Sequence, residues 1–159
     1  MKTAGRSVGY FWAPAKSQLY AVLPRLVETG LATSRIVRQT PRPDKTLYRI
    51  SAAGRDALHE WVNGPTPAEP SRNPLLLQLF FGDQGDPQAL LDHVRERRRE
   101  LEVLQAELTQ IDEQAAARQN DFYPSLTRGY GHAYARALIR WARATEADLE
   151  RQVSMWPAH

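Results

Sequence analysis

The stretch that decides the fold is YFWAPAKSQLYAVLPRLVETGLATSRIVRQTPRPDKTLYRISAAGRDALHEW, Tyr10 to Trp61. From Ala15 to Gly30 the apolar residues Leu19, Val22 or Leu23, Leu26 and Val27 recur at helical spacing. One face is therefore expected to be buried, while Lys16, Gln18, Arg25 and Glu28 face outward. Pro14 stands just ahead of the first turn, where a missing amide costs nothing, and Gly30 offers a left-handed stop. Pro24 removes one donor inside this helix and crowds the Tyr20 carbonyl, which predicts one bent helix rather than two.

After Gly30 the period drops to two. Leu31, Thr33, Arg35, Val37 and Gln39 alternate with Ala32, Ser34, Ile36 and Arg38, and a second strand-like run extends from Lys45 to Ile50. Between them TPRPD cannot continue a ladder, since its two prolines lack donors and Pro43-Asp44 suits a turn. The pattern predicts a β-hairpin with Arg35, Arg38, Arg42, Lys45 and Arg49 on its edges and tip and Asp44 as the only acid in the span. Five cations on a two-stranded ribbon repel one another unless an anion lies nearby, and a phosphate backbone would serve. Ser51 is a natural N-cap for the next helix, in which Ala53, Ala57, Leu58, Trp61 and Val62 form an expected buried stripe. Asn63-Gly64-Pro65 ends it.

Helix, basic ribbon, helix is the order of a winged helix followed from its recognition helix onward, and it points to DNA rather than to catalysis. In that arrangement Lys16, Ser17, Gln18 and Tyr20 lie at the first turn, where a groove-bound helix touches bases or phosphates. Taken without the ribbon, the same residues are a solvated helix end with Tyr20 half buried.

Gly64 to Pro74, GPTPAEPSRNP, carries four prolines and is read as an extended linker. Beyond it LLLQLFF, Leu75 to Phe81, is apolar nearly all round and predicts a short buried helix closed by Gly82-Asp83. Asp86-Pro87 opens a long helix toward Arg118, its seam formed by Leu90, Val94, Leu101, Leu104, Leu108, Ile111 and Ala115 and interrupted at Arg97 or Arg98. A final helix from about Ser125 to Trp156 offers Tyr134, Leu138, Trp141, Thr145, Leu149 and Val153 as the complementary face. Two such helices make a thin core, so self-association is the economical completion, with Leu101, Leu104, Leu108, Ile111, Leu138, Trp141 and Leu149 as the dimerisation residues.

The segments GYFW, SQLYAVLPRLVETGLA, RPDKTLYRISAAGRDALHEWV and LLLQLFFGD resemble PadR-type bacterial transcriptional regulators, over nearly the whole chain. The resemblance implies a mainly α protein with a two-stranded β-wing: a winged-helix domain at 1–63, a linker at 64–74 and a helical dimerisation domain at 75–159. It further implies a homodimer that binds double-stranded DNA at a two-fold operator, usually as a repressor. Some members respond to phenolic or multidrug-like compounds, which makes Phe80, Tyr134 and Trp141 candidates for a small aromatic effector pocket. Ordinary core and interface packing is the competing account of these rings. Members normally carry a helix and most of a second before the GYFW element, whereas only MKTAGRSV precedes Gly9 here, short against an average helix of about 12 residues. The winged helix is accordingly expected to be N-terminally incomplete, leaving Leu19, Leu23 and Leu26 short of cover. The rival reading is a helical interaction protein that no longer binds DNA specifically.

Charge is unevenly spread. Residues 1–63 hold 10 Lys+Arg against 4 Asp+Glu, a net of +6, and residues 64–159 hold 11 against 14, a net of −3. The basic half is the half with the ribbon. Cysteine is absent, which excludes disulfides and thiolate sites and fits a cytoplasmic setting. No apolar run reaches membrane-spanning length, so no membrane partner is expected. His59, His93, His132 and His159 lack metal-ligand spacing, and Gly129-Tyr130-Gly131 lacks the third glycine and preceding strand of a phosphate loop. No cofactor and no catalytic set is expected.

Overall fold

The computed structural model describes residues 11–12, 15–41, 43–66, 68, 72–115 and 121–155, with the backbone alone for Lys16. The chain divides into two compact units, one of residues 14–70 and the other of residues 71–159 together with residues 1–13. The first holds α1 (Lys16–Glu28), β1 (Ala32–Val37), β2 (Lys45–Ile50) and α2 (Ala52–Asn63). In the second are α3 (Pro74–Phe80), a 3-10 turn (Gly82–Gln84), α4 (Pro87–Ala115) and α5 (Phe122–Met155).

Helix α1 runs unbroken through Pro24. It stops at Gly30, whose φ of 73° is a conformation that costs a side-chain-bearing residue dearly, and whose amide donates to the Val27 carbonyl at 3.0 Å. The expected buried face is only half covered: Leu19, Leu23, Leu26 and Val27 are half-buried and Val22 is exposed. β1 is the main described neighbour of α1, and one strand is narrower than the stripe.

β1 and β2 pair antiparallel with Ala32 opposite Ile50 and Val37 opposite Lys45. The connecting loop spans residues 38–44, and across it the Asp44 carboxylate accepts the Gln39 amide at 3.3 Å. Ser51 ties the ribbon's base to both helices. Its Oγ accepts the Gly54 amide at 2.9 Å, capping α2, and donates to the Gly30 carbonyl at 2.6 Å, while its amide donates to the Leu31 carbonyl at 3.0 Å. The expected burial of the α2 stripe does not occur: Leu58, Trp61 and Val62 are exposed, and within α2 only Gly54 is buried. α2 meets Leu31 and Ile50 at its first turn through Gly54, and the apolar residues beyond that turn stay exposed.

Helix α3 begins one residue before its expected start. Asn73 caps it, its Oδ1 accepting the Leu76 amide at 3.2 Å, and Pro74 occupies the first turn, so Pro74 belongs to the helix and not to the linker. The expectation of a buried helix is overturned, since no residue of α3 is buried and Leu76, Leu77 and Phe80 are exposed, Phe80 to 78%. A seven-residue helix that is apolar all round can hide only the side it turns to a neighbour, here α4.

α4 opens as expected at Asp86-Pro87, with the Asp86 carboxylate accepting the Gln88 amide at 2.9 Å. Cross-helix bonds join Arg95 to Glu150, Arg98 to Glu146, Arg143 to Glu102 and Asp112 to His132, so α4 and α5 run antiparallel. The buried line of α4 is Pro87, Val94, Leu101, Leu108 and Ala115, seven residues apart, with Leu91 beside it. Leu90, Leu104 and Ile111, expected within the seam, flank it half-buried, and Leu91 takes the place given to Leu90. On α5 the buried line is Arg128, Gly131, Ala135, Ile139 and Ala142. The larger residues expected there, Leu138, Trp141, Thr145, Leu149 and Val153, are half-buried and Tyr134 is exposed. Small residues on α5 let the backbones approach until Leu101 and Leu108 are almost wholly enclosed, and the bulkier side chains are displaced to the rims. α5 starts at Phe122 rather than Ser125, because Pro124 falls within the first turn, where it is tolerated, and Asp121 accepts the Ser125 amide at 2.8 Å. The expected helix ends at Arg118 and Trp156 lie outside the described residues.

Candidate nucleic-acid interface

Alternation along the ribbon sorts its residues onto two faces. One face carries Thr33, Arg35 and Val37 opposite Arg49, Leu47 and Lys45. Arg35 faces Leu47 across the ladder, so Lys45 and Arg49 are its diagonal neighbours and three cations share one side of the sheet. The other face carries Ala32, Ser34, Ile36, Thr46, Tyr48 and Ile50 and is uncharged. Arg38 is exposed just beyond β1, and among the described residues none of Arg35, Arg38, Lys45 and Arg49 has a carboxylate partner. The loop's acid is occupied at Gln39. A shallow depression of about 410 Å³ lies along the strands, bordered by Arg35, Leu47 and Arg49. Arg42 lies outside the described residues.

At the first turn of α1 Ser17 is exposed and Tyr20 is 71% exposed. The Gln18 Oε1 accepts the Ala15 amide at 3.2 Å, so part of this side chain closes its own helix end and its amide NH₂ stays available. The side chain of Lys16 is outside what is described.

The second unit holds the other expected residues. Leu101 and Leu108 are consumed in the α4–α5 core, whereas Leu104, Ile111, Leu138, Trp141 and Leu149 line its edges half-buried. Phe80 meets Phe81 edge-on at 5.0 Å, Tyr134 stacks on Tyr130 at 6.2 Å, and both Phe80 and Tyr130 are largely exposed. Arg128 was not foreseen. Its buried guanidinium donates to Asp112 and to Asp121, and His132 Nε2 stands 2.9 Å from the other Asp112 oxygen. Arg128 holds the Asp112 carboxyl below the usual aspartate range, with burial offsetting part of the effect and His132 adding to it. No sequence spacing reveals this cluster, because Asp112 and Arg128 meet only once the hairpin closes. Among the described residues no three His, Asp or Glu side chains gather as a metal site would require. None of the described helices is long and apolar enough to cross a membrane.

The chain matches two family models: the transcriptional regulator PadR-like family over residues 1–60, and the virulence activator alpha C-terminal family over residues 71–150. It is 38% identical over 72 residues to the probable transcriptional regulator Rv1176c of Mycobacterium tuberculosis, covering 45% of this chain and 38% of that protein. To the negative transcriptional regulator PadR of Bacillus subtilis it is 30% identical over 76 residues, covering 46% of this chain and 41% of that protein. The matched stretches thus span about two fifths of these relatives' own lengths. Its fold is that of B. subtilis PadR solved with operator DNA, with TM-score 0.74, 21% identity, and 93% and 87% of the two chains covered. PadR solved with p-coumaric acid gives TM-score 0.67 at 21% identity over 90% and 83%. The PadR-like regulator BC1756 of Bacillus cereus gives 0.78 at 19% identity over 95% and 87%.

Proposed function

Because the chain belongs to the PadR-like family of transcriptional regulators, a family of regulators and not of enzymes, we propose that it binds double-stranded DNA as a homodimer and represses transcription. The observation that carries the reading is the row of Lys45, Arg35 and Arg49 on one face of the ribbon, with no carboxylate paired to it among the described residues. Each copy lays the first turn of α1, with Lys16, Ser17, Gln18 and Tyr20, into the major groove. The ribbon contacts the flanking phosphates, where Arg38 and Arg42 add to the row. Two copies related by a two-fold axis read the two halves of an operator. The edges of the helical hairpin at Leu104, Ile111, Leu138, Trp141 and Leu149 join them, with the exposed apolar residues of α3 to be covered. Support for repression comes from the B. subtilis relative, a negative regulator whose structure has been solved with operator DNA. That protein has also been solved with p-coumaric acid, which supports a small aromatic effector near Phe80, Tyr134 and Trp141. The chain works in the cytoplasm, where its DNA is.

The test is fluorescence anisotropy of a labelled duplex against salt. Replacing Arg35 and Arg49 together by Ala is expected to weaken binding to specific and random duplexes alike. It should also flatten the log affinity against log salt slope by about 0.9 for each phosphate that is no longer neutralised. An unchanged slope would overturn the ribbon's role.

A further inference from the structure

We infer that a groove on the α4–α5 hairpin is a binding site for a small organic anion, its carboxylate held by Arg136 and Arg140 and its apolar body resting on Ala133 and Ile139. The groove encloses about 450 Å³ and is also lined by Glu102, Gln105 and Arg143, a size in the range of small-molecule sites, roughly 300–1,000 Å³.

The second half of the chain is acidic overall, and its arginines are nearly all satisfied. Arg95, Arg97, Arg98, Arg99, Arg128, Arg143 and Arg151 each meet a carboxylate. Among the described residues of α4 and α5, Arg136 and Arg140 alone have none. They stand one helical turn apart on the same face, where like charges repel, and both border the groove. The acid at its wall, Glu102, is already shared by Arg98 and Arg143. An incoming carboxylate would therefore find two free guanidinium groups, with Gln105 opposite on α4 to bond a further polar group. Ile139 is 7% exposed and gives the floor its apolar character, which favours an organic acid over a bare oxyanion. By helical periodicity Tyr134 and Trp141 lie on the opposite side of α5, so this site is distinct from the aromatic positions proposed above and does not depend on DNA binding.

The test uses the full chain, with the arginine Nε–H resonances observed by NMR during titration with sodium benzoate and, separately, with inorganic phosphate. Benzoate is expected to shift Arg136 and Arg140 saturably, and R136Q/R140Q to weaken its binding at least about tenfold. Ala133→Glu, at an exposed position, is expected to abolish binding by placing a tethered carboxylate beside Arg136. Circular dichroism checks that the helices persist in each variant. The proposal is overturned if benzoate leaves both resonances in place, or if the double variant binds it as well as the parent. Phosphate binding as tightly as benzoate would leave the apolar floor without a role and equally overturn it. So would light scattering and solvent protection showing that a second copy of the chain covers Arg136 and Arg140.

Discussion

At Gly54 a hydrogen atom stands where any other residue would place a carbon 2.0 Å from the Leu31 carbonyl oxygen and 2.9 Å from Ile50. In an open helix Gly→Ala gains up to about 1 kcal/mol. Here the neighbour is backbone, so Gly54→Ala is expected to destabilise the first unit by about 1–3 kcal/mol. Faster amide exchange at Ser51 and Gly54, with exchange in α4 and α5 unchanged, would show it. Asp112 gives a second expectation. Its folded carboxyl titrates below the unfolded one through Arg128, so its stabilising contribution is present above the ordinary aspartate value of about 4 and lost as pH falls through the folded value. Asp112→Asn removes that dependence. The acid limb of a stability-against-pH profile should be flatter in the variant, and an unaltered limb would refute the assignment.

Among the elements, the boundaries that carry chemical signals were the ones a reader of the sequence could place: Gly30 after α1, Lys45 to Ile50 as β2, Ser51 before α2, and Asp86-Pro87 before α4. Asn73-Pro74 and Asp121 ahead of Pro124 were equally available as start signals, and were masked by counting prolines as breakers. Facing was less legible. A stripe of leucines shows that a helix is amphipathic, but which of two adjacent lines enters the core depends on the size of what it meets. Gly131, Ala135 and Ala142 chose the line of Leu101 over that of Leu104. Leu101→Ala should therefore cost about 2–5 kcal/mol in a urea titration. Measured at a concentration where the proposed dimer is dissociated, half-buried Leu104→Ala should cost only about 1 kcal/mol, and equal losses would contradict the packing described. The ribbon's cations were legible as a group. Their division between faces was not, because it follows from the pairing of residue 35 with residue 47.

For the molecule as a whole, charge is unevenly divided along the chain, whereas both units expose apolar surface. The net charge is +6 over residues 1–63, the stretch that includes the ribbon, and apolar side chains lie exposed both on α2, at Leu58, Trp61 and Val62, and in the helical unit, at Leu76, Leu77, Phe80, Phe81, Leu126 and Tyr130. The first suits an anionic polymer and the second suits a partner. Ile111→Glu puts a charge at the proposed dimer edge and is expected to halve the mass seen by light scattering while the helical spectrum persists. Identical masses for parent and variant would reject that edge. Such a variant is also expected to lose operator affinity more than affinity for random DNA, since only the operator rewards two linked half-sites. The hairpin itself constrains how a signal could cross this unit. Arg98 with Glu146, Arg143 with Glu102 and Arg128 with Asp112 are spaced like teeth along its length. Sliding α5 past α4 by one turn would break all three cross-helix pairs at once and leave the buried Arg128 with Asp121 alone, which moves with α5. The pair is a ratchet jammed in one notch, stiff against shear along its axis. Motion within it is left to tilting and rolling, and a ligand that shifts one end must swing the other as a lever does.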